Sequence, residues 1–260
     1  MDKIDVIIIG AGIAGITTAY YLQKNFPNIT YKIMESRSDV GGTWDQMKFP
    51  GVRADNDMYT YGFSFNPWQG SIIGKGQEIK RYINDTAEKF NIKEHIIFDT
   101  QVSELFWKNN QWTTKTNHKN FTSQYVICST GSRDRKNPHL PKFKNENKYQ
   151  GKIVHTQAWG NTDYKDKNVT IIGSGCTAIT MAPSIIKEAK TVTLVQRSPA
   201  WIINIDSQEK SSRGYKTFEV LKDYIFSRFF KKSLRKKIIA TDPYYNETTT
   251  PSYDYWDQRP

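Results

Sequence analysis

The sequence predicts an α/β fold in two lobes, on three observations. An apolar run, Val6-Ile7-Ile8-Ile9, feeds the glycine-spaced turn Gly10-Ala11-Gly12-Ile13-Ala14-Gly15, then a helix-like segment and a second apolar run at residues 31–34. The same order recurs at Val169-Thr170-Ile171-Ile172, Gly173-Ser174-Gly175-Cys176-Thr177-Ala178 and residues 192–195. Between the two, short apolar runs alternate with turn-forming residues. Strand, helix and parallel strand form the repeating unit of α/β folds, so two such units predict two Rossmann-like lobes.

In the first unit Gly10 makes the tight turn, Gly12 lets the backbone approach a pyrophosphate, and Gly15 lets the helix pack on the strand. Free N–H groups at the helix start then favour the anion. Glu35 follows the last glycine by about twenty residues, where a carboxylate accepts hydrogen bonds from a ribose and repels a 2'-phosphate. The first site is expected to take FAD or NAD rather than NADP. In the second unit the matching position is Gln196, followed by Arg197 and Ser198. An amide beside a guanidinium accepts a 2'-phosphate through charge-assisted bonds, so the second site is expected to take NADPH. Opposite preferences imply FAD in the first lobe and NADPH in the second.

The intervening segments follow in order. Residues 36–65 are turn-rich and contain Gly41-Gly42-Thr43-Trp44-Asp45 and Pro50-Gly51-Val52-Arg53-Ala54-Asp55, a backbone folded closely around something. Residues 77–90 have helical spacing, with Ile79, Tyr82, Ile83, Ala87 and Phe90 on one side. Residues 95–98, 102–107, 111–116 and 125–129 read as short strands joined by Asn-rich turns. The last ends at Thr130-Gly131, which suits another close approach to a dinucleotide. These assignments give a first, FAD-binding domain at residues 1–137, a polar linker at 138–150 with Pro138 and Pro141, and an NADPH-binding domain at 151–260.

At 260 residues the chain is long enough for a sizeable core, and 13% aromatic residues argue against disorder. No apolar run approaches the roughly 20 residues that span a bilayer, and a strand begins almost at the N-terminus. A cytoplasmic protein without a signal peptide is expected. The two cysteines, Cys128 and Cys176, form no CxxC, which argues against a disulfide framework, a structural metal site and disulfide-reductase chemistry. The net charge of +11 is concentrated in residues 210–237, with ten Lys or Arg against Glu219 and Asp223. The basic stretch 210–240 reads as helical. Residues 215–239 within it make either a solvated helix with one packed face or a weak membrane-surface contact. No nucleic-acid reading module accompanies the charge.

Tyr149-Gln150-Gly151-Lys152-Ile153-Val154-His155-Thr156-Gln157-Ala158-Trp159-Gly160 resembles the FxGxxxHxxxW(P/D) signature of Baeyer-Villiger monooxygenases, class B flavoproteins that use FAD, NADPH and O2. Tyr149 stands for Phe, and Gly160 for the final Pro or Asp. The turns at residues 41–45 and 50–60, with Trp256-Asp257-Gln258-Arg259, are most similar to the branch that includes the ethionamide-activating monooxygenase.

The resemblance implies that Ala14, Glu35, Gly42, Thr43, Trp44 and Tyr61 contact FAD and that Val102 lies by its adenine. It places Arg53 and Asp55 where flavin and nicotinamide meet, and Ser174, Gly175, Cys176, Thr177, Arg197 and Ser198 on NADPH. Asp55 and Arg259 would be catalytic, the arginine stabilising a C4a-peroxyflavin that delivers oxygen to a ketone or a sulfide. His155 and Trp159 would be structural. Family members continue past the motif at Trp256, so a complementary C-terminal half is an expected partner. Oxygenation at nitrogen or sulfur without Baeyer-Villiger activity, or a non-catalytic nucleotide-binding remnant, are the alternatives.

Overall fold

Strand β1 (Lys3–Ile9) is the axis of the fold. Val6, Ile7 and Ile8 are each at most 2% exposed, so both faces of the strand are covered. An uninterrupted apolar run is what a central parallel strand requires. The computed structural model describes residues 3–131, 138 and 140–197. All of these belong to one compact unit, Met1–Glu209. Ser198, Arg259, the motif at Trp256 and the basic segment 215–239 lie outside the described residues.

With β2 (Tyr31–Met34), β3 (Ile96–Ile97), β4 (Val102–Lys108), β5 (Gln111–Thr116) and β6 (Phe121–Cys128), β1 forms one sheet in the order β3-β2-β1-β6-β5-β4. The pairs β3-β2, β2-β1 and β1-β6 are parallel; β6-β5 and β5-β4 are antiparallel. The β4–β5 hairpin turns at Asn109 and Asn110, with φ of 54° and 55°. Two left-handed residues make the turn whose twist matches the strands, and asparagine tolerates that conformation. Two strands differ from expectation. β3 is only two residues because Lys93–His95 forms a helical turn before it. β6 starts at Phe121 rather than 125, since Thr122 and Ser123 pair with both neighbouring strands despite their polarity.

Helix α1 (Ile13–Asn25) follows the glycine turn, and two one-turn helices, α2 (Thr43–Gln46) and α3 (Met58–Tyr61), interrupt the turn-rich passage. Helix α4 (Gly76–Lys89) buries Ile79, Ile83 and Ala87 at its expected spacing. Its start is secured by Glu78, whose carboxylate accepts from the Lys75 N–H at 3.1 Å. These residues meet Ile8, Ile16, Ile33, Val40, Met58 and Ile92 in the main core.

The second unit comprises β7 (Asn168–Ile172), helix α5 (Cys176–Ile185) and β8 (Thr191–Val195), the strands parallel in a separate sheet. Ile171, Met181 and Ile185 are buried with Met47 and Phe49 from the passage after α2. The register-paired Ile172 and Val195 remain 61% and 47% exposed. Among the described residues no helix is long and apolar enough to cross a membrane.

Candidate dinucleotide sites

Two glycine turns lie against each other at the C-terminal ends of β1 and β2. The Gly41 N–H donates to the Ala11 carbonyl at 3.1 Å, and a Cβ built on Gly12 would stand 3.6 Å from the Gly42 Cα. Gly15 is pressed on the turn itself, its Cβ position 1.9 Å from the Gly10 carbonyl oxygen. Gly10 in turn backs onto the strand-end chain before Thr130 and Gly131, its Cβ position 2.6 Å from the Ser129 oxygen. Thr130 and Gly131, expected to approach a dinucleotide, thus follow directly on the chain that backs the glycine turn. Ala14, one residue into α1, is exposed.

Glu35 is 3% exposed. Its Oε2 accepts from the Ala11 N–H at 2.7 Å, and its Oε1 accepts from the Arg37 N–H at 3.0 Å and the Ser36 hydroxyl at 3.4 Å. A carboxylate has about four lone-pair sites, so capacity remains for a ribose hydroxyl. Val102 opens β4 opposite Thr116, beside a register shift, and packs partly buried against the cluster of Ile4, Ile7, Met34 and Phe121.

The loop carrying Gly41 and Gly42 is pinned by an ion network that the sequence reading did not single out. Asp45, 6% exposed, receives Arg37 Nε at 2.5 Å and Lys80 Nζ at 2.6 Å; Lys80 also meets Asp39 at 2.8 Å. Burial alone would raise the Asp45 carboxyl, but the bonds and charges of Lys80 and Arg37 outweigh it and hold it below the usual carboxylate range. Lys80 is held above its ordinary value by Asp39 and Asp45. The signal available beforehand was Asp45 itself, at the end of the Gly41-Gly42-Thr43-Trp44-Asp45 turn.

Thr43, Trp44, Arg53, Asp55 and Tyr61 line a cleft of about 680 Å³ together with Cys176, Thr177 and Thr180 of α5. The Trp44 indole donates to the Tyr61 hydroxyl at 3.2 Å, fixing one wall. The cleft thus brings together expected FAD contacts with two residues of the second fingerprint. Gly173, Ser174, Gly175 and Ala178 precede or begin α5, and no atom lies within 4 Å of a Cβ built on Gly173 or Gly175. That bare backbone is open enough for a phosphate. Gly173 has φ of 130° and donates to the Val195 carbonyl at 2.9 Å. Arg197 is exposed beyond β8.

The 149–160 signature borders a second cavity of about 450 Å³ that also touches Gly173, Gly175 and Thr177. His155 Nδ1 accepts from the Gln157 N–H at 3.2 Å, capping one helical turn, and Trp159 packs with the Ile171 and Met181 cluster. Gly160 has φ of 54°, a conformation closed to proline.

A sheet parallel around its first strand, which ends in a glycine turn, with a second β-α-β unit in the same chain, is the FAD/NAD(P)-binding class of fold. The chain belongs to the pyridine nucleotide-disulphide oxidoreductase family, whose profile matches residues 7–225. FAD-containing monooxygenase EthA of Mycobacterium tuberculosis is 38% identical over 212 residues, covering 78% of this chain and 43% of the relative. The Acinetobacter protein named Probable FAD-binding monooxygenase AlmA is 35% identical over 294 residues, covering 100% of this chain and 59% of the relative. This chain spans about half the length of the curated relatives it matches. Among solved structures, an OTEMO complex with FAD and NADP is 29% identical with a TM-score of 0.66, covering 76% of this chain and 39% of that one. An oxidized steroid monooxygenase bound to NADP is 28% identical with a TM-score of 0.68, covering 78% and 40%. The resemblance to class B flavoprotein monooxygenases is borne out by these relatives. Disulphide chemistry in the family's name has no CxxC pair here, and Cys128 and Cys176 are both free.

Proposed function

We propose that the protein acts in FAD- and NADPH-dependent monooxygenation, delivering one oxygen atom of O2 to a ketone or a sulfide. The observation that carries this reading is the 680 Å³ cleft lined by Thr43, Trp44, Arg53 and Asp55 on one side and Cys176 and Thr177 on the other. The relatives' names and the FAD- and NADP-bound neighbours support the same reading.

FAD, when bound, supplies hydride acceptance and oxygen activation. The chain's own residues bind and orient. The turn at Gly10 to Gly15 and the start of α1 would hold a pyrophosphate, with Glu35 accepting from the ribose. Trp44 and Tyr61 would wall the flavin and keep water from it. Gly173 to Ala178 would hold the second pyrophosphate, and Arg197 the 2'-phosphate of NADPH. Arg53 and Asp55 would provide charge at the meeting point. Ser198 and Arg259, outside the described residues, complete the proposed set. A second reading, oxygenation at nitrogen or sulfur alone, rests on Gly160, which stands where the signature has Pro or Asp.

The test is the absorption spectrum of the purified chain titrated anaerobically with NADPH and then NADH. Flavin bleaching with NADPH in preference to NADH is expected, and Arg197→Gln should narrow that preference by about tenfold. A colourless chain that takes up no FAD would overturn the reading and direct attention to a complementary half.

A further inference from the structure

Helix α5 supports the loop of residues 50–55 at two points. Gly51, at φ +79°, lies so close to the helix that a Cβ on it would stand 2.2 Å from Ser184 Oγ and 2.8 Å from the Thr180 carbonyl oxygen. Both the backbone conformation and the contact therefore demand glycine there. The Thr180 hydroxyl, on a residue 6% exposed, donates toward Asp55 Oδ1 at 3.5 Å. Thr180 and Ser184 are one helical turn apart and share a face of α5. The same short helix begins at Cys176, directly after the open Gly173–Gly175 backbone. Thr180 lies one turn beyond Cys176, so its contact with Asp55 joins the loop to the first turn of the helix, ahead of Pro183.

We infer that Thr180 and Ser184 are positioning residues, which seat the loop bearing Arg53 and Asp55 and so couple occupancy of the second dinucleotide site to that of the first. The inference rests on the two-nucleotide reading proposed above. Coupling between sites is reciprocal: if NADP+ tightens FAD, FAD tightens NADP+ by the same factor. Thr180 lines the cleft itself, so the loss of coupling is read from how much NADP+ changes FAD affinity and not from either affinity alone.

The experiment is a calorimetric titration of FAD into the apo chain, with and without saturating NADP+. It compares the parent with Thr180→Val, Ser184→Leu and Thr180→Ser. In the parent, NADP+ is expected to tighten FAD by about tenfold. Thr180→Val and Ser184→Leu should lose that tenfold response, read as the ratio of FAD affinities with and without NADP+, whereas Thr180→Ser, which keeps the hydroxyl, should retain it. Thermal unfolding of each apo variant identifies one that has lost its fold. If Ser184→Leu does so, the isosteric Thr180→Val decides. A full tenfold response in folded Thr180→Val overturns the inference and leaves the two-nucleotide reading intact, as does a parent that binds both nucleotides independently. A parent that binds neither overturns both.

Discussion

The Glu35 carboxylate accepts a hydrogen bond from the Ala11 N–H at 2.7 Å, fastening the end of β2 to the turn after β1. The residue expected to recognise a ribose thus also holds the backbone expected to hold the pyrophosphate. Glu35→Ala would leave that buried N–H unpaired and should lower stability by about 1–3 kcal/mol, read from chemical denaturation of the apo chain. Glu35→Gln can keep the bond to Ala11 only by turning its NH2 toward the Arg37 N–H. It should therefore also destabilise, and it should weaken FAD in a direct titration.

Gly12 and Gly15 separate folding from binding. A Cβ at Gly12 meets only the Gly42 Cα at 3.6 Å, an ordinary contact, while one at Gly15 would stand 1.9 Å from the Gly10 oxygen. Gly12→Ala should leave the apo melting temperature nearly unchanged yet abolish FAD uptake, because the methyl fills the space expected for the phosphate. Gly15→Ala should fail to fold or should lose several kcal/mol, as overpacking against backbone does. Equal melting temperatures for the two variants would contradict this assignment.

The Asp45 network sets an acid limit. The carboxyls of Asp39 and Asp45 are held below their ordinary 3.8 in the folded state. Their contribution is present above pH 3.8 and is lost as pH falls through the depressed folded values. Lys80, raised above 10.5, contributes below that pH and loses its contribution as pH rises through its folded value. Asp45→Asn should remove part of the acid sensitivity and cost about 2 kcal/mol at pH 7, measured by urea unfolding across pH.

Tyr82 sets the alkaline behaviour of the passage before α4. Its hydroxyl accepts from the Phe63 N–H at 2.7 Å and donates to the Asn66 carbonyl at 2.5 Å. Burial pushes the phenol from 10.0 up to about 12. The stability it contributes is complete below pH 10.0 and is lost as pH rises toward about 12. Tyr82→Phe should cost about 1–3 kcal/mol at neutral pH and flatten that alkaline decline, seen by circular dichroism.

Much of the fold was readable because its signals are local. Val6 to Gly15 carries strand, turn and helix start within ten neighbouring positions, and Ile79, Ile83 and Ala87 declare one face of α4 by spacing alone. Thr122 and Ser123 escaped because their place in the sheet comes from pairing with strands on both sides rather than from their own character. The same holds for the sites. Glu35 follows from its distance to a glycine, whereas the partnership of Asp45 with Lys80 joins a turn to a separate helix, and Thr180 reaches Asp55 across 125 positions. No periodicity encodes such pairings.

The fit of Gly51 against Ser184 bears on how this protein can be recombined with its relatives. A chimaera whose crossover falls anywhere between residues 56 and 175 takes the loop from one parent and α5 from the other. Such hybrids join surfaces that were never selected against each other, and a single bulkier residue at position 184 would unseat the loop. Segments 50–55 and 176–185 are best inherited as a pair, although the sequence keeps them far apart.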